Sequence, residues 1–465
     1  MPPARTSLFG TDGIRGQINA EPVTARTILM VAQAAAAVLR ESARGARAPL
    51  RVVIGKDTRL GNYMLEAALE AGFTSMGVEV ILLGPAPTPA VAMLTRTMRA
   101  DLGVMISASH NPYHDSGLKI FGPDGYKIGP AFEREIEGRL RQSRGAPLAA
   151  PDGLGRARRL DDVIGRYIEF AKMSFPRGLR LDGYKLVVDC AHGAAYKVAP
   201  TVFRELGAQV TVIGDAPDGL NINRDCGAIH PRAMCRAVKS AGARLGLALD
   251  GDADRVVFAD ERGRLISGDQ VLALVARSWQ QSAKLRGDAV VGTVMSNLGL
   301  ERYLESIGLE FVRTQVGDRH VLAEMRARGC NLGGEESGHV ILSDLTTTGD
   351  GVLAALQVLG VLLGNRRRAP SAVMRLFTPR PQERVNVEIP GGVRAGVVAR
   401  SAVVREAVGV AERKLKGRGR VLVRASGTEP VVRVLVEGDD SRTCAGVAAT
   451  LARAVRGQAA ASRKK

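Results

Sequence analysis

Three separated stretches of this 465-residue chain follow one plan: a β-branched run, a turn of Gly, Asp or Asn, then a segment long enough for a helix. Arg51-Val-Val-Ile-Gly55-Lys-Asp57-Thr-Arg59 is the first and Lys185-Leu-Val-Val-Asp189-Cys-Ala-His-Gly193 the second. The third is Ala289-Val-Val-Gly-Thr-Val-Met-Ser296-Asn297. Strands that alternate with helix-length segments build α/β units with largely parallel sheets. The likeness is architectural and does not amount to a sequence repeat. The length exceeds what one hydrophobic core organises and points to about three or four domains. Gly145 to Gly155, rich in Ala, Pro and Gly, reads as a linker, and Arg366-Arg-Arg-Ala-Pro370 as a second break. Beyond it Glu383-Arg-Val-Asn-Val-Glu-Ile389 alternates with period two, as a half-buried strand of a smaller α+β domain would. The expected division is 1–160, 161–262, 263–372 and 373–465, with a disordered tail from Gly457 onward.

Composition removes several function classes. The longest apolar stretches, Leu29 to Leu39 and Val352 to Leu363, fall short of the ~20 residues of a membrane span. Met1-Pro-Pro-Ala-Arg5 offers no apolar signal core, so a cytoplasmic protein with no membrane partner is expected. Cys190, Cys226, Cys235, Cys330 and Cys444 are odd in number and contain no C-x-x-C pair, which suits reduced thiols better than disulfides or zinc. The net charge of +18 raises nucleic acid as a partner, but the basic residues are scattered and aromatics make up only 4%. Base-stacking platforms are therefore scarce. We read the charge as suited to small anionic substrates, with no specific nucleic acid partner. A salt-sensitive affinity for polyanions follows all the same, and a polyanion-binding protein is the rival reading from another class.

Chemistry concentrates in five short segments. The apolar run Leu102 to Ile106 reads as a buried strand, broken by Ser107-Ala-Ser109-His110-Asn111-Pro112. That places the Ser109 hydroxyl at a strand end, with His110 beside it and Lys119 ten residues on to neutralise a phosphoryl group or handle a proton. The chain has neither a G-x-S-x-G elbow nor a Walker loop, so a covalent phosphoserine would supply the missing phosphate donor. A second run, Leu245 to Leu249, empties into Asp250-Gly-Asp252-Ala-Asp254-Arg255. In an extended segment the three carboxylates face one side, and oxygen-only ligands favour Mg²⁺ or Ca²⁺. An EF-hand fails because Arg255 stands where its glycine must be and the flanks are strand-like; a solvated acidic turn remains as the bland alternative. Arg424-Ala-Ser426-Gly427-Thr428-Glu-Pro430, with Arg433 beyond, reads as an anion-binding loop or an ordinary hairpin turn. Gly334-Glu335-Glu336-Ser337-Gly338-His339 suits sugar hydroxyls, with His339 able to move a proton, or is a tight turn before Val340. A glycine-flanked Arg15 closes Phe9-Gly-Thr-Asp12-Gly-Ile-Arg15-Gly16.

At these motifs the chain resembles the α-D-phosphohexomutases, over roughly residues 7 to 455 and with the signatures in family order. The resemblance implies three mixed α/β domains of similar architecture plus a smaller C-terminal α+β domain, set around a central active-site cleft. It implies reversible conversion of glucosamine 6-phosphate to glucosamine 1-phosphate through a phosphoserine and a glucosamine 1,6-bisphosphate intermediate, feeding UDP-N-acetylglucosamine and cell-wall synthesis. Phosphomannomutase/phosphoglucomutase activity is the nearest alternative. Carried over by position, Ser109 is the phosphoserine, and Asp250, Asp252 and Asp254 hold Mg²⁺ together with a Ser109 oxygen. Glu335 and Ser337 would hold sugar hydroxyls, while Arg424, Ser426, Gly427, Thr428 and Arg433 clamp the phosphate that is not reacting. Arg15, Lys119 and His339, with His110 and Arg255, form the set for proton handling and phosphate neutralisation. Glu336 stands where relatives usually carry glutamine, and its extra carboxylate would favour a substrate ammonium. The only expected partner is a small phosphosugar, bound by a monomer or homodimer.

Overall fold

A computed structural model describes residues 7–10, 12–42, 49–141, 147–426 and 429–463. They fall into two compact units, Met1–Thr293 with Val312–Arg375, and Val294–Phe311 with Leu376–Lys465. Three sheets have their strands in the first unit, save Glu310 and Phe311 at the start of one edge strand. In the six-stranded sheet the spatial order is Ile14–Gln17, Asp115–Phe121, Leu102–Ile106, Arg51–Lys56, Glu79–Pro85 and Ala157–Arg159. The five-stranded sheet runs Leu265–Ile266, Val256–Ala259, Leu245–Leu249, Lys185–Asp189, Gln209–Ile213. The four-stranded sheet runs Glu310–Thr314, Ala289–Thr293, Leu332–Gly334, Val340–Leu342. The three β-branched runs of the common plan are parallel strands inside these sheets.

One device recurs in all three. A strand parallel to its inner neighbour hands the chain to an antiparallel return strand, and a motif loop makes the connection. Leu102–Ile106 turns into Asp115–Phe121 through the serine loop, and Leu245–Leu249 into Val256–Ala259 through the aspartate loop. Leu332–Gly334 turns into Val340–Leu342 through the Glu335 to His339 loop. The first two outgoing strands are buried along their whole length, as strands covered on both faces must be. Their apolar side chains therefore fix the register, and the polar residues are pushed to the ends where the ladder stops.

The two long apolar stretches are helices, Ala25–Ser42 and Gly351–Gly364. Among the described residues no helix is long and apolar enough to cross a membrane. Asp350 caps the second of them, accepting the Val352 and Leu353 N–H groups at 3.0 Å each and the Tyr167 hydroxyl at 2.9 Å. Gly351, the first residue of this helix, donates its N–H to the Ala253 carbonyl inside the aspartate loop at 2.9 Å, so the cap also steadies that loop. Burial pushes the Asp350 carboxyl up to about 7, against the hydrogen bonds that favour its charge. A raised folded pKa contributes stability that is complete below the ordinary carboxylate range and is lost as pH climbs toward 7. Asp350→Asn keeps the capping oxygen and removes this loss. Urea unfolding should then show the variant gaining on the parent between about pH 4 and pH 7 and levelling off above that.

The second unit carries an antiparallel sheet in the order Gln382–Glu388, Val431–Glu437, Arg420–Ala425. From Arg384 to Glu388 exposure alternates residue by residue, as the period-two pattern requires. The disordered tail expected from Gly457 is replaced by a helix, Ser441–Arg463, that buries Val447, Leu451, Val455 and Ala459 at helical spacing. Those small apolar residues pack on the sheet and hold the last turns that a polar composition alone would have left free. The five cysteines are free thiols.

Candidate active site

Ser109 sits three residues past the strand Leu102–Ile106 with φ at +52°, a left-handed conformation rare for a residue with a side chain. It is 1% exposed. Its hydroxyl donates to Asp250 Oδ2 at 2.6 Å, and its N–H donates to Ser107 Oγ at 2.8 Å. His110 Nδ1 lies 3.3 Å from Ser109 Oγ and 2.9 Å from Arg255 Nη1. Burial, then the Arg255 and Arg15 charges, push the His110 imidazole down to about 4, so it is neutral near pH 7 and accepts from Arg255.

The aspartate loop is not the extended segment expected from its spacing. It is a turn, with Ala253 at φ +59°, and the turn brings the carboxylates together in place of strand alternation. A strand would have continued the ladder past Leu249; here the chain must reverse into Val256–Ala259. Asp250, Asp252 and Asp254 are all buried, with one oxygen of each lying within 4.8 Å of the others. Asp252 Oδ2 accepts the Thr88 hydroxyl at 2.5 Å and Lys119 Nζ at 2.7 Å, and Asp254 Oδ2 accepts Lys119 at 2.7 Å. Among the described residues Asp252 Oδ1 and Asp254 Oδ1 have no hydrogen-bond donor, His339 Nδ1 standing 3.6 Å from the second. Burial, then Asp254 and Asp252, push the Asp250 carboxyl up to about 7. Clustered carboxylates with free buried oxygens are the donor set a hard divalent cation requires, so these residues fit Mg²⁺.

Lys119 reaches the site because residues alternate along Asp115–Phe121: Leu118 and Ile120 enter the core and Lys119 faces the acids. Burial opposes its charge, but Asp12, Asp252 and Asp254 outweigh that and raise its pKa well above the ordinary lysine value. Arg15 pairs with Asp12 and donates to the Ala108 carbonyl at 3.0 Å, so it braces the serine loop. Asp12, Lys127 and Asp318 complete a ring of charge that the motifs did not single out. Lys127 pairs with Asp12 and, at 2.6 Å, with Asp318. His339 stands between Asp254 at 3.6 Å and Asp318 at 3.7 Å. Burial disfavours the imidazolium, yet Asp254 and Asp318 hold the His339 pKa above its ordinary value. Lys119→Met strips the acids of their central cation, which should cost ~3–5 kcal/mol in denaturant unfolding at neutral pH.

In the Glu335 to His339 loop, Glu335 is buried and its Oε1 accepts the Gly317 N–H at 3.0 Å. Glu336 is half-buried and Ser337 exposed. The Gly338 carbonyl accepts the Val256 N–H at 3.0 Å, tying this loop to the return strand of the aspartate loop. The segment is thus both a tight turn and a polar loop bound to its neighbour. Ser109, His110, Lys119, Arg15, Arg255, His339, Glu335 and the three aspartates are all brought together in the first unit.

The Arg424 loop belongs to the second unit. Arg424 and Arg433 are direct cross-strand partners on its hairpin. Burial, then the Arg433 charge, lower the Arg424 pKa, so an anion would relieve the pair. Arg433 donates to Glu429 at 2.6 Å, and the Ser426 N–H donates to the Val431 carbonyl at 2.9 Å. Gly427 and Thr428 lie outside the described residues.

Four domain models of phosphoglucomutase/phosphomannomutase match the chain in order: α/β/α domain I over 6–145, domain II over 166–263, domain III over 267–379 and the C-terminal domain over 385–454. A phosphoglucosamine mutase of Rhodospirillum rubrum is 56% identical over 444 residues, covering 96% of this chain and 97% of that protein. One from Rhodospirillum centenum is 58% identical over 455 residues, covering 96% and 94%. Among solved structures, a phosphoglucomutase/phosphomannomutase family protein of Burkholderia thailandensis superposes with a TM-score of 0.80 at 24% identity, covering 97% of each chain. The N-acetylphosphoglucosamine mutase of Aspergillus fumigatus, solved with GlcNAc-6P and magnesium, shares the fold with a TM-score of 0.64 at 20% identity, covering 97% of this chain and 96% of that one. The chain belongs to the phosphoglucomutase/phosphomannomutase family.

Proposed function

We propose that this chain is an intramolecular phosphotransferase that interconverts glucosamine 6-phosphate and glucosamine 1-phosphate, with Ser109 as the group that carries the phosphoryl. The observation that carries this reading is the buried Ser109 hydroxyl bonded to Asp250 within a cluster of three carboxylates. Asp250, Asp252 and Asp254 would hold Mg²⁺, which when bound offsets the charge of a phosphoryl group in a loose, in-line transition state. Arg255, bonded to the neighbouring His110, and Lys119, bonded to Asp252 and Asp254, add positive charge to the site. The phosphoryl group leaves Ser109 Oγ for the sugar O1, whose proton passes to a neighbouring base, and a 1,6-bisphosphate results. After the sugar reverses, the 6-phosphate returns a phosphoryl group to Ser109. Glu335 and Ser337 would bind sugar hydroxyls, and Arg424, Ser426, Gly427, Thr428 and Arg433 the phosphate at rest.

We assign the boundaries 1–160, 161–262, 263–372 and 373–465 to the four domains, a cytoplasmic location, and a monomer or homodimer. The test is a side-by-side assay of the 6-phosphates of glucosamine, glucose and mannose with Mg²⁺ and a trace of bisphosphate. Glucosamine phosphate should give the highest kcat/KM. A preference for glucose or mannose phosphate would instead make the chain a phosphomannomutase/phosphoglucomutase. Salt-steep DNA binding without turnover would favour the polyanion reading. Glu336→Gln should narrow the preference for the amino sugar over glucose phosphate; an unchanged ratio removes Glu336 from specificity.

A further inference from the structure

We infer that Arg59 and Asn223 are positioning residues that hold Ser109 in its left-handed conformation by both donating to its carbonyl oxygen. This rests on the proposed role of Ser109 as phosphoryl carrier.

Arg59 is fully buried, an expensive place for a guanidinium unless every donor is used. It pairs with Asp57, whose Oδ1 also accepts the Arg59 N–H at 3.0 Å. Its Nη2 donates to the Ser109 carbonyl at 3.2 Å and the Asn111 carbonyl at 2.6 Å, and its Nε reaches the Pro112 carbonyl at 3.5 Å. Asn223 Nδ2 donates to the same two carbonyls, Ser109 at 2.9 Å and Asn111 at 3.0 Å. Asn223 is itself left-handed at φ +57° and tied by its N–H to the Ala191 carbonyl at 2.9 Å. Gly251 packs against the same oxygen; a Cβ there would stand 2.6 Å from the Ser109 oxygen and 2.9 Å from Asn223 Nδ2.

A left-handed residue with a Cβ costs about 1–2 kcal/mol, so Ser109 needs outside contacts to stay there. Two side chains, 50 and 114 residues away in sequence, supply them at one oxygen. Neither touches Ser109 Oγ, so neither is catalytic. Their effect passes through the backbone: with the carbonyl released, Ser109 can relax to negative φ and swing its hydroxyl off Asp250. A misplacement of about 1 Å at a reacting atom costs on the order of 10²-fold in rate.

The variants are chosen to spare the fold. Asn223→Gly suits φ +57° and keeps the N–H bond to Ala191 while removing both donors. Arg59→Lys keeps a cation for Asp57 but loses the forked donors. The full-length variants are assayed with glucosamine 6-phosphate and glucose 1,6-bisphosphate, alongside urea unfolding. We expect kcat to fall about 10- to 100-fold while KM stays within about twofold, with the Asn223→Gly unfolding midpoint near the parent's. The double variant should lose less than the product of the single losses, because both act on one oxygen. A kcat near the parent's in Asn223→Gly, or a KM that rises in step with the lost rate, overturns the clamp. If Arg59→Lys fails to fold, Asn223→Gly decides alone. A parent protein that neither turns over nor gains phosphate on Ser109 refutes the functional reading instead, and so the two failures are told apart.

Discussion

Ser109→Ala should lose turnover by about 10⁴-fold or more and leave a folded protein. The hydroxyl at the end of Leu102–Ile106 bonds directly to an aspartate of the cluster, and alanine offers no atom to attack or be attacked. The structural cost is small. Both residues have a Cβ, so the left-handed strain at φ +52° is unchanged, and the carbonyl bonds from Arg59 and Asn223 remain. What disappears is one hydrogen bond to Asp250, worth about 1 kcal/mol. Circular dichroism and urea unfolding should therefore match the parent closely. Retained activity in a sample free of contaminating mutase would mean that the phosphoryl group travels by another route.

Asp250→Asn should separate stability from function in opposite directions. Without a cation the three buried carboxylates repel one another, and burial with this repulsion already pushes Asp250 up to about 7. Replacing it with a neutral amide relieves that cost, so the metal-free variant should unfold at a higher urea concentration than the metal-free parent above pH 7. The same change removes a charged ligand and the acceptor of the Ser109 hydroxyl. Turnover should fall by about 10²–10³-fold, as for loss of a preorganised electrostatic group. Titrated Mg²⁺ should raise the parent's melting temperature and scarcely move the variant's, since only a ligand bound to the folded state stabilises it. A variant that binds Mg²⁺ as the parent does would place the metal elsewhere.

The legible parts of this molecule were those encoded in short linear segments. Leu102–Ile106 and Leu245–Leu249 are unbroken apolar runs stopped by polar residues, and both proved to be buried strands ending in site loops. The three carboxylates of the aspartate loop do lie together, but a turn gathers them and not the extended segment their spacing suggests. Strand alternation and a left-handed turn at Ala253 both gather every second carboxylate, and spacing alone does not distinguish them. The second charge layer was hidden because its partners are remote. Lys127 meets Asp318 across 191 residues and Asp12 across 115, while Thr88 meets Asp252 across 164. Asp12 lies inside the Phe9 to Gly16 segment, three residues before Arg15, and that spacing of opposite charges was the available signal. The helix through Arg463 was missed because alanine and glycine-rich ends resemble tails by composition. The spacing of Val447, Leu451, Val455 and Ala459 carried the correct answer.

The central claim, that one buried hydroxyl carries the transferred phosphoryl group, is tested most directly by mass spectrometry of the Ser109 peptide. The protein is first stripped of phosphate, then exposed to Mg²⁺ and a sugar 1,6-bisphosphate labelled with ¹⁸O in its phosphoryl groups. The account predicts a gain of one labelled phosphoryl group on Ser109 and its loss to added glucosamine 6-phosphate. Turnover with that peptide unmodified throughout, or with the label on any other residue, would contradict it.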